Sequence, residues 1–114
     1  LELVKVFDLK ELAVFSDKQG MLSLMEDRRK IKKDLLKTNN FNLVLISLDA
    51  GQEIPSRPEP YGVCFLVVDG KGIFTIGKEK IELSSGGLIF VPANEARGIL
   101  SKEKLTLLGI QDPH

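Results

Sequence analysis

An all-β barrel is the fold this sequence predicts, on three observations. Residues 41–111 break into short apolar stretches recurring at roughly 8 to 12 residues, the rhythm of a β-sandwich or barrel. Glycine, proline and asparagine punctuate those stretches, and none keeps the helical period long enough to form a long helix. Hydrophobic residues make up 43% of the 114 residues against 28% charged, which excludes a disordered chain and supplies a core. The chain therefore reads as one domain over residues 1–114, with a helical and basic extension over 1–30 and a barrel core over 41–111.

The elements follow in order. Asp8 with Glu11 three positions on is a capping-box pattern for a short helix over Leu9 to Phe15. Ser16 with Gln19 repeats the signature ahead of Met21-Leu-Ser-Leu-Met25 and predicts a second short helix, with Gly20 inside it. Arg28 to Lys33 then packs five positive charges into six residues. No aromatic side chain interleaves with them and Glu26, Asp27 and Asp34 flank them. The stretch thus reads as a solvated, self-repelling surface around Ile31 rather than a nucleic-acid site.

From Ile31 onward the pattern is that of strands. Ile31 to Lys37 and Phe41 to Asp49 flank Thr38-Asn39-Asn40 and predict a hairpin. Gly62 to Asp69 and Gly72 to Ile76 flank Gly70-Lys71 and predict another, and Gly77-Lys78 marks the next turn. Leu88 to Val91, Arg97 to Ser101 and Leu105 to Ile110 complete the set. Gly70-Lys-Gly72 is a turn and not a nucleotide fingerprint, because β-branched and aromatic residues follow it instead of a helix.

Composition narrows function. Sixteen basic and sixteen acidic residues cancel to zero, so bulk attraction to nucleic acid or to an anionic membrane is excluded, and any charge-based function needs a local cluster. One His (His114) and one Cys (Cys64) leave too few groups for a zinc cluster, a disulfide framework or a Cys-His pair. The longest apolar runs, of about six residues, fall far short of the roughly 20 that span a bilayer, and no leader is evident. A lone thiol suits a reducing compartment, and the expectation is a cytoplasmic protein.

Two glycine-proline patterns carry a resemblance. Gly51-Gln-Glu-Ile-Pro-Ser-Arg57-Pro-Glu59, continuing through Val63 to Gly70, and Gly86-Gly-Leu-Ile-Phe-Val-Pro92-Ala-Asn94-Glu-Ala-Arg97 resemble, in spacing, the two motifs of the cupin family. The resemblance covers residues 41 to 111 and implies a small single-domain cupin, a β-barrel of jelly-roll type. Typical members hold a divalent metal with three His and one Glu. Here Arg57, Glu59, Val63 and Arg97 stand at those positions, and only Glu59 offers a donor, since arginine stays protonated and valine has no lone pair. The resemblance thus implies a cupin lacking the usual metal ligands, with no cofactor.

Residues 57, 59 and 63 share strand parity and are expected to point toward the barrel mouth, with Arg97 joining them from the facing strand. Two readings stand side by side. Arg57, Glu59 and Arg97 form a charge cluster that satisfies itself, or Glu59 offsets one arginine and the surplus charge clamps a small anionic or polar ligand. Tyr61 is placed near the mouth as a proton donor, or simply as an amphipathic side chain bridging surface and core. Phe65, Val67, Phe74 and Phe90 are wall or core, Cys64 faces away, buried and inert, and His114 is a solvated tail. Val63 to Val68 is apolar on both parities and needs cover on both faces, which with the resemblance predicts a homodimer. The favoured function is metal-independent ligand binding. The alternatives are a metal-dependent isomerase or oxygenase and a non-catalytic structural or regulatory dimer.

Overall fold

A computed structural model describes residues 3–114. Nine strands form two antiparallel sheets that face each other. One sheet runs β1 (Lys32–Lys37), β2 (Asn42–Leu48), β9 (Leu105–Gln111), β4 (Val63–Asp69), β7 (Leu88–Val91). The other runs β3 (Glu53–Pro58), β8 (Ala96–Ser101), β5 (Lys71–Ile76), β6 (Glu79–Ser84). Alternating side chains of β4 set its inner face: Val63, Phe65 and Val67 are buried, while Cys64, Leu66 and Val68 lie on the outside, only partly covered. The core between the sheets joins these residues to Val44, Leu105 and Leu107 of the same sheet and to Phe74 and Ile99 of the other. Each such side chain is worth about 1.5–3 kcal/mol on burial.

Several expectations hold and three change. The first hairpin joins β1 to β2 across Thr38-Asn39-Asn40, where the Thr38 hydroxyl accepts from the amides of Asn40 and Phe41. Gly77-Lys78 turns β5 into β6. The hairpin expected at Gly70-Lys71 does not form. β4 pairs with β7 and β9, whereas β5 pairs with β6 and β8 in the opposite sheet, so Gly70 is a corner between sheets. Gly70 sits at φ +89, and a Cβ there would collide with the Lys104 carbonyl oxygen. The glycine signal was for a turn, and turn chemistry alone does not say which strand the chain meets next.

The first helix, α1, is a single turn (Leu9–Leu12), not a helix reaching Phe15. Asp8 caps it as expected, its carboxylate accepting from the Glu11 amide at 3.2 Å, but a lone turn followed by Val14 and Phe15 has too few hydrogen bonds to propagate. The helix expected over Met21 to Met25 is absent. The Ser16 hydroxyl accepts from the Lys18 amide in a local turn, and Gly20, at φ +75, redirects the chain. Met21 then bridges Glu53 in parallel, the Leu22 amide donates to the Glu53 carbonyl at 2.7 Å, and Leu22 is fully buried.

The second helix, α2, runs Met25–Ile31 instead. Glu26 and Asp27 occupy its first turn and Arg28, Arg29 and Lys30 its last, the order that complements the helix dipole. One buried polar group latches this N-terminal segment to the barrel and another braces the segment internally. The amide nitrogen of Gln52 donates to the carbonyls of Ser16 and Lys18, and the Asp27 carboxylate takes the Lys18 ammonium at 2.6 Å.

Phe74, fully buried opposite Phe65 at 5.9 Å between ring centroids, tests the sheet-to-sheet contact. Phe74→Ala is expected to lower unfolding free energy by about 3–5 kcal/mol in urea titrations, with the slope of the transition unchanged.

Candidate functional site

A cavity of about 530 Å³ opens between the edge strands β1 and β3, the outermost strands of the two sheets on that side. Arg57, Glu59, Tyr61 and Arg97, the four residues singled out from sequence, all line it. Its walls are apolar, with Ile46 and Phe65 from the five-stranded sheet, Ile54 and Ile99 from the other and Ile31 from α2.

The charge pairing follows one expectation and not the other: Glu59 offsets a single arginine, Arg57. Arg57 donates from Nε to the Glu59 carboxylate at 2.7 Å, and its side chain keeps 47% exposure. Arg97 does not touch Glu59. It is buried, and its three nitrogens donate to backbone carbonyls, Nε to Glu95 at 3.2 Å, one terminal nitrogen to Tyr61 at 2.9 Å and the other to Pro92 at 2.9 Å. The self-satisfying cluster of all three residues is therefore corrected to an Arg57–Glu59 pair beside a separately solvated Arg97. Pro58 and Pro60 prevent β3 from continuing as a regular strand to Glu59, so parity beyond Pro58 does not carry the geometry. Register does place Arg57 directly opposite Arg97 across β3 and β8, a like-charge pair that is unfavourable without an intervening anion.

Val63, expected at the mouth, is in the core instead. Phe65 does form cavity wall, Phe74 and Val67 are core, and Phe90 is 63% exposed on the outer face, outside the site altogether. Cys64 faces away as expected but is only half-buried. His114 is exposed, as expected of a tail, but it is not free. Its ring stacks on Tyr61 with centroids 3.9 Å apart and planes within 4°. The Asp112 carboxylate holds it close by accepting from the Gly62 amide at 2.8 Å. Burial and the Glu59 charge raise the Tyr61 pKa, outweighing Arg97 and Arg57, so the phenol stays protonated and remains a hydrogen-bond donor at neutral pH.

The basic stretch also changes role. Because α2 and β1 form one lip of the cavity, Arg28, Arg29 and Lys32 line it together with Asp34. Arg28 is oriented by the carbonyls of Leu22 and Ser23, and Lys32 sits 3.6 Å from Asp34. A sequence signal existed in the acidic-to-basic order of residues 26–30, which marks a helix here and so moves half the cluster off a loop. The lining thus holds five cations against two carboxylates.

A metal does not fit this donor set. The one carboxylate at the positions in question is bound to Arg57, and among the described residues no three His, Cys, Asp or Glu side chains group together.

Comparison with known proteins places the chain. The cupin domain family model matches residues 44–109. The chain belongs to the cupin family. An uncharacterized protein of Streptomyces coelicolor is 31% identical over 61 residues, 54% of this cupin and 58% of that protein, so the match spans little more than half of the relative. Among solved structures, a conserved protein of unknown function from Streptococcus pyogenes matches with a TM-score of 0.76 at 22% identity, covering 100% of this chain and 91% of that one. A double-stranded β-helix protein of Klebsiella pneumoniae gives 0.80 at 19% identity, over 96% of this chain and 90% of that one. An RmlC-like cupin of Desulfovibrio desulfuricans gives 0.80 at 21%, over 96% and 97%. At these identities the structural likeness shows the fold alone. It places this cupin as a jelly roll, and no helix among its described residues is long and apolar enough to cross a membrane.

The two arginines are expected to behave oppositely in denaturation experiments. Arg97→Met strands three carbonyls and should lower stability by about 3 kcal/mol or more, whereas Arg57→Ala, which breaks an exposed pair, should lower it by no more than about 1 kcal/mol. Tyr61 is the single tyrosine and there is no tryptophan, so absorbance titration reads it alone. Its midpoint should lie above the ordinary 10.0, and Glu59→Gln should bring it down. Folding raises this pKa, so the associated stability is complete below about pH 10 and is lost as pH rises through the folded value.

Proposed function

We propose that this cupin is a metal-independent binding module of the cytoplasm, a homodimer whose barrel mouth takes a small anionic or polar ligand. The observation that carries the proposal is the cavity lining, five cations to two carboxylates among the described residues, in a chain whose charges cancel overall. Clustered at one apolar mouth, such a surplus raises the local positive potential and attracts anions. Arg57, held only through Nε, supplies the fork for a carboxylate or phosphate. Arg97 supplies fixed positive charge behind it, with most of its donors engaged by carbonyls, and the Tyr61 hydroxyl adds a neutral donor. Binding rather than turnover is favoured because neither titratable neighbour is a free base. Glu59 is bound to Arg57, and the Tyr61 phenol is kept protonated.

The homodimer rests on the outer face of the five-stranded sheet. There the register aligns two apolar rows, Leu43–Ile110–Cys64–Phe90 and Leu45–Leu108–Leu66–Leu88, with no charged side chain among the eight. Leu88 at 61% exposure, Phe90 at 63% and Ile110 at 41% form a flat patch that a second copy covers by two-fold symmetry. The cytoplasmic assignment rests on the single, half-buried thiol of Cys64.

Phosphate, succinate and glucuronate at millimolar concentration are the probes. At least one should raise the melting temperature of the wild type, and Arg57→Ala should weaken that ligand about tenfold or more; no shift with any of them sinks the anion proposal. Elemental analysis of the purified protein should find well under one transition metal per chain, and a stoichiometric metal would overturn metal independence. Light scattering should give twice the 12.6 kDa chain mass, with Phe90→Glu returning it to one chain without loss of fold.

A further inference from the structure

The cations of the mouth fall into two groups on opposing lips. On the β3–β8 side are Arg57 and Arg97 with Glu59; on the α2–β1 side are Arg28, Arg29 and Lys32 with Asp34. Each group holds one carboxylate, so each keeps its own surplus, one positive charge on the first lip and two on the second. Between them the wall is hydrocarbon, with Ile31, Ile46, Ile54, Phe65 and Ile99. A compact anion seated at Arg57 and Arg97 leaves the second surplus unmatched across an apolar gap. Like charges on facing lips then continue to oppose each other.

We infer that the ligand is an elongated dianion, a molecule with an anionic group at each end of an uncharged body that spans the two lips. The inference rests on the anion-binding function proposed above and specifies its ligand. One anionic group meets Arg57, whose terminal nitrogens make no hydrogen bond among the described residues, in front of the fixed charge of Arg97. The other meets Arg29 and Lys32, with Arg28 held in place through one terminal nitrogen by the Leu22 and Ser23 carbonyls. The body lies along the isoleucines, where burial rewards carbon and leaves few partners for hydroxyls. A cavity of about 530 Å³ is the size that encloses a single small molecule.

Calorimetric titration with α,ω-dicarboxylates of four to seven carbons, the phosphonocarboxylates of the same lengths and monocarboxylates of equal length is the test. The wild type should bind the best dianion at least tenfold more tightly than the monoanion of the same length. Arg29→Ala combined with Lys32→Ala, both at exposed positions, should bring the dianion to the monoanion's affinity, weakening the dianion at least tenfold more than the monoanion. Arg57→Ala should weaken both. Equal affinity for matched mono- and dianions, unaffected by the double substitution, overturns the two-ended ligand but leaves anion binding intact. Absence of binding by every acid in the series overturns both.

Discussion

A buried guanidinium without a carboxylate is the constraint around which the mouth of this barrel is arranged. Arg97 lies on β8 in the position where many cupins have a metal-binding histidine, and its buried charge has to be solvated by protein groups. Three carbonyls do so, from Pro92 and Glu95 in the β7–β8 connection and from Tyr61 before β4. Those carbonyls come from two separate connections, so one side chain fixes both. Tyr61, fixed at its backbone, stacks its ring on His114 and lines the cavity. Peptide dipoles converging on a cation thus tie the two connections together.

The second organising element is the latch of the N-terminal segment. Gln52 sits at 0% exposure, so its amide has to find partners, and it finds them in the carbonyls of Ser16 and Lys18. That contact, with Leu22 buried in the core and Lys18 on Asp27, positions α2 above the edge of the sheet. The basic stretch is on the mouth for this reason and no other. Zero net charge over the whole chain therefore coexists with a positive mouth, because the latch puts arginines and a lysine from one end of the sequence beside arginines from the middle.

Much of this was legible in residue order. Apolar spacing and turn residues located seven of the nine strands among the described residues, missing β3 and β6, whose exposed and proline-bearing sequences lack an apolar run. The Gly51 and Gly86 motifs pointed to Arg57, Glu59 and Arg97, which line one cavity. What sequence could not convey was partnering. Arg57 and Glu59 are two residues apart and pair locally, but the partners of Arg97 are carbonyls, which every residue possesses and no motif marks. The destination of Gly70 was hidden for a similar reason: its positive φ makes a corner, and whether a corner closes a hairpin or crosses to the other sheet depends on β9 pairing with β4. The basic stretch is solvated surface as its composition says, but its place beside the cavity depends on contacts such as that of Gln52, some twenty residues away, which composition does not carry. The ring contact of His114 was hidden because a stacking partner at Tyr61 leaves no periodic trace.

The order of strands in the larger sheet also bears on how the molecule comes into being. Its central strand, β9, is the last to be synthesised, and it lies between β2 and β4, with Asn42 paired to Gln111. Until residues 105–111 are available, β2 and β4 each have an unfilled edge and apolar side chains on both faces. No smaller, self-sufficient sheet exists for them to adopt in the interval. Assembly is thus all-or-none and dominated by pairings distant in sequence, a topology that folds slowly and leaves nascent edges exposed to neighbouring chains on the polysome.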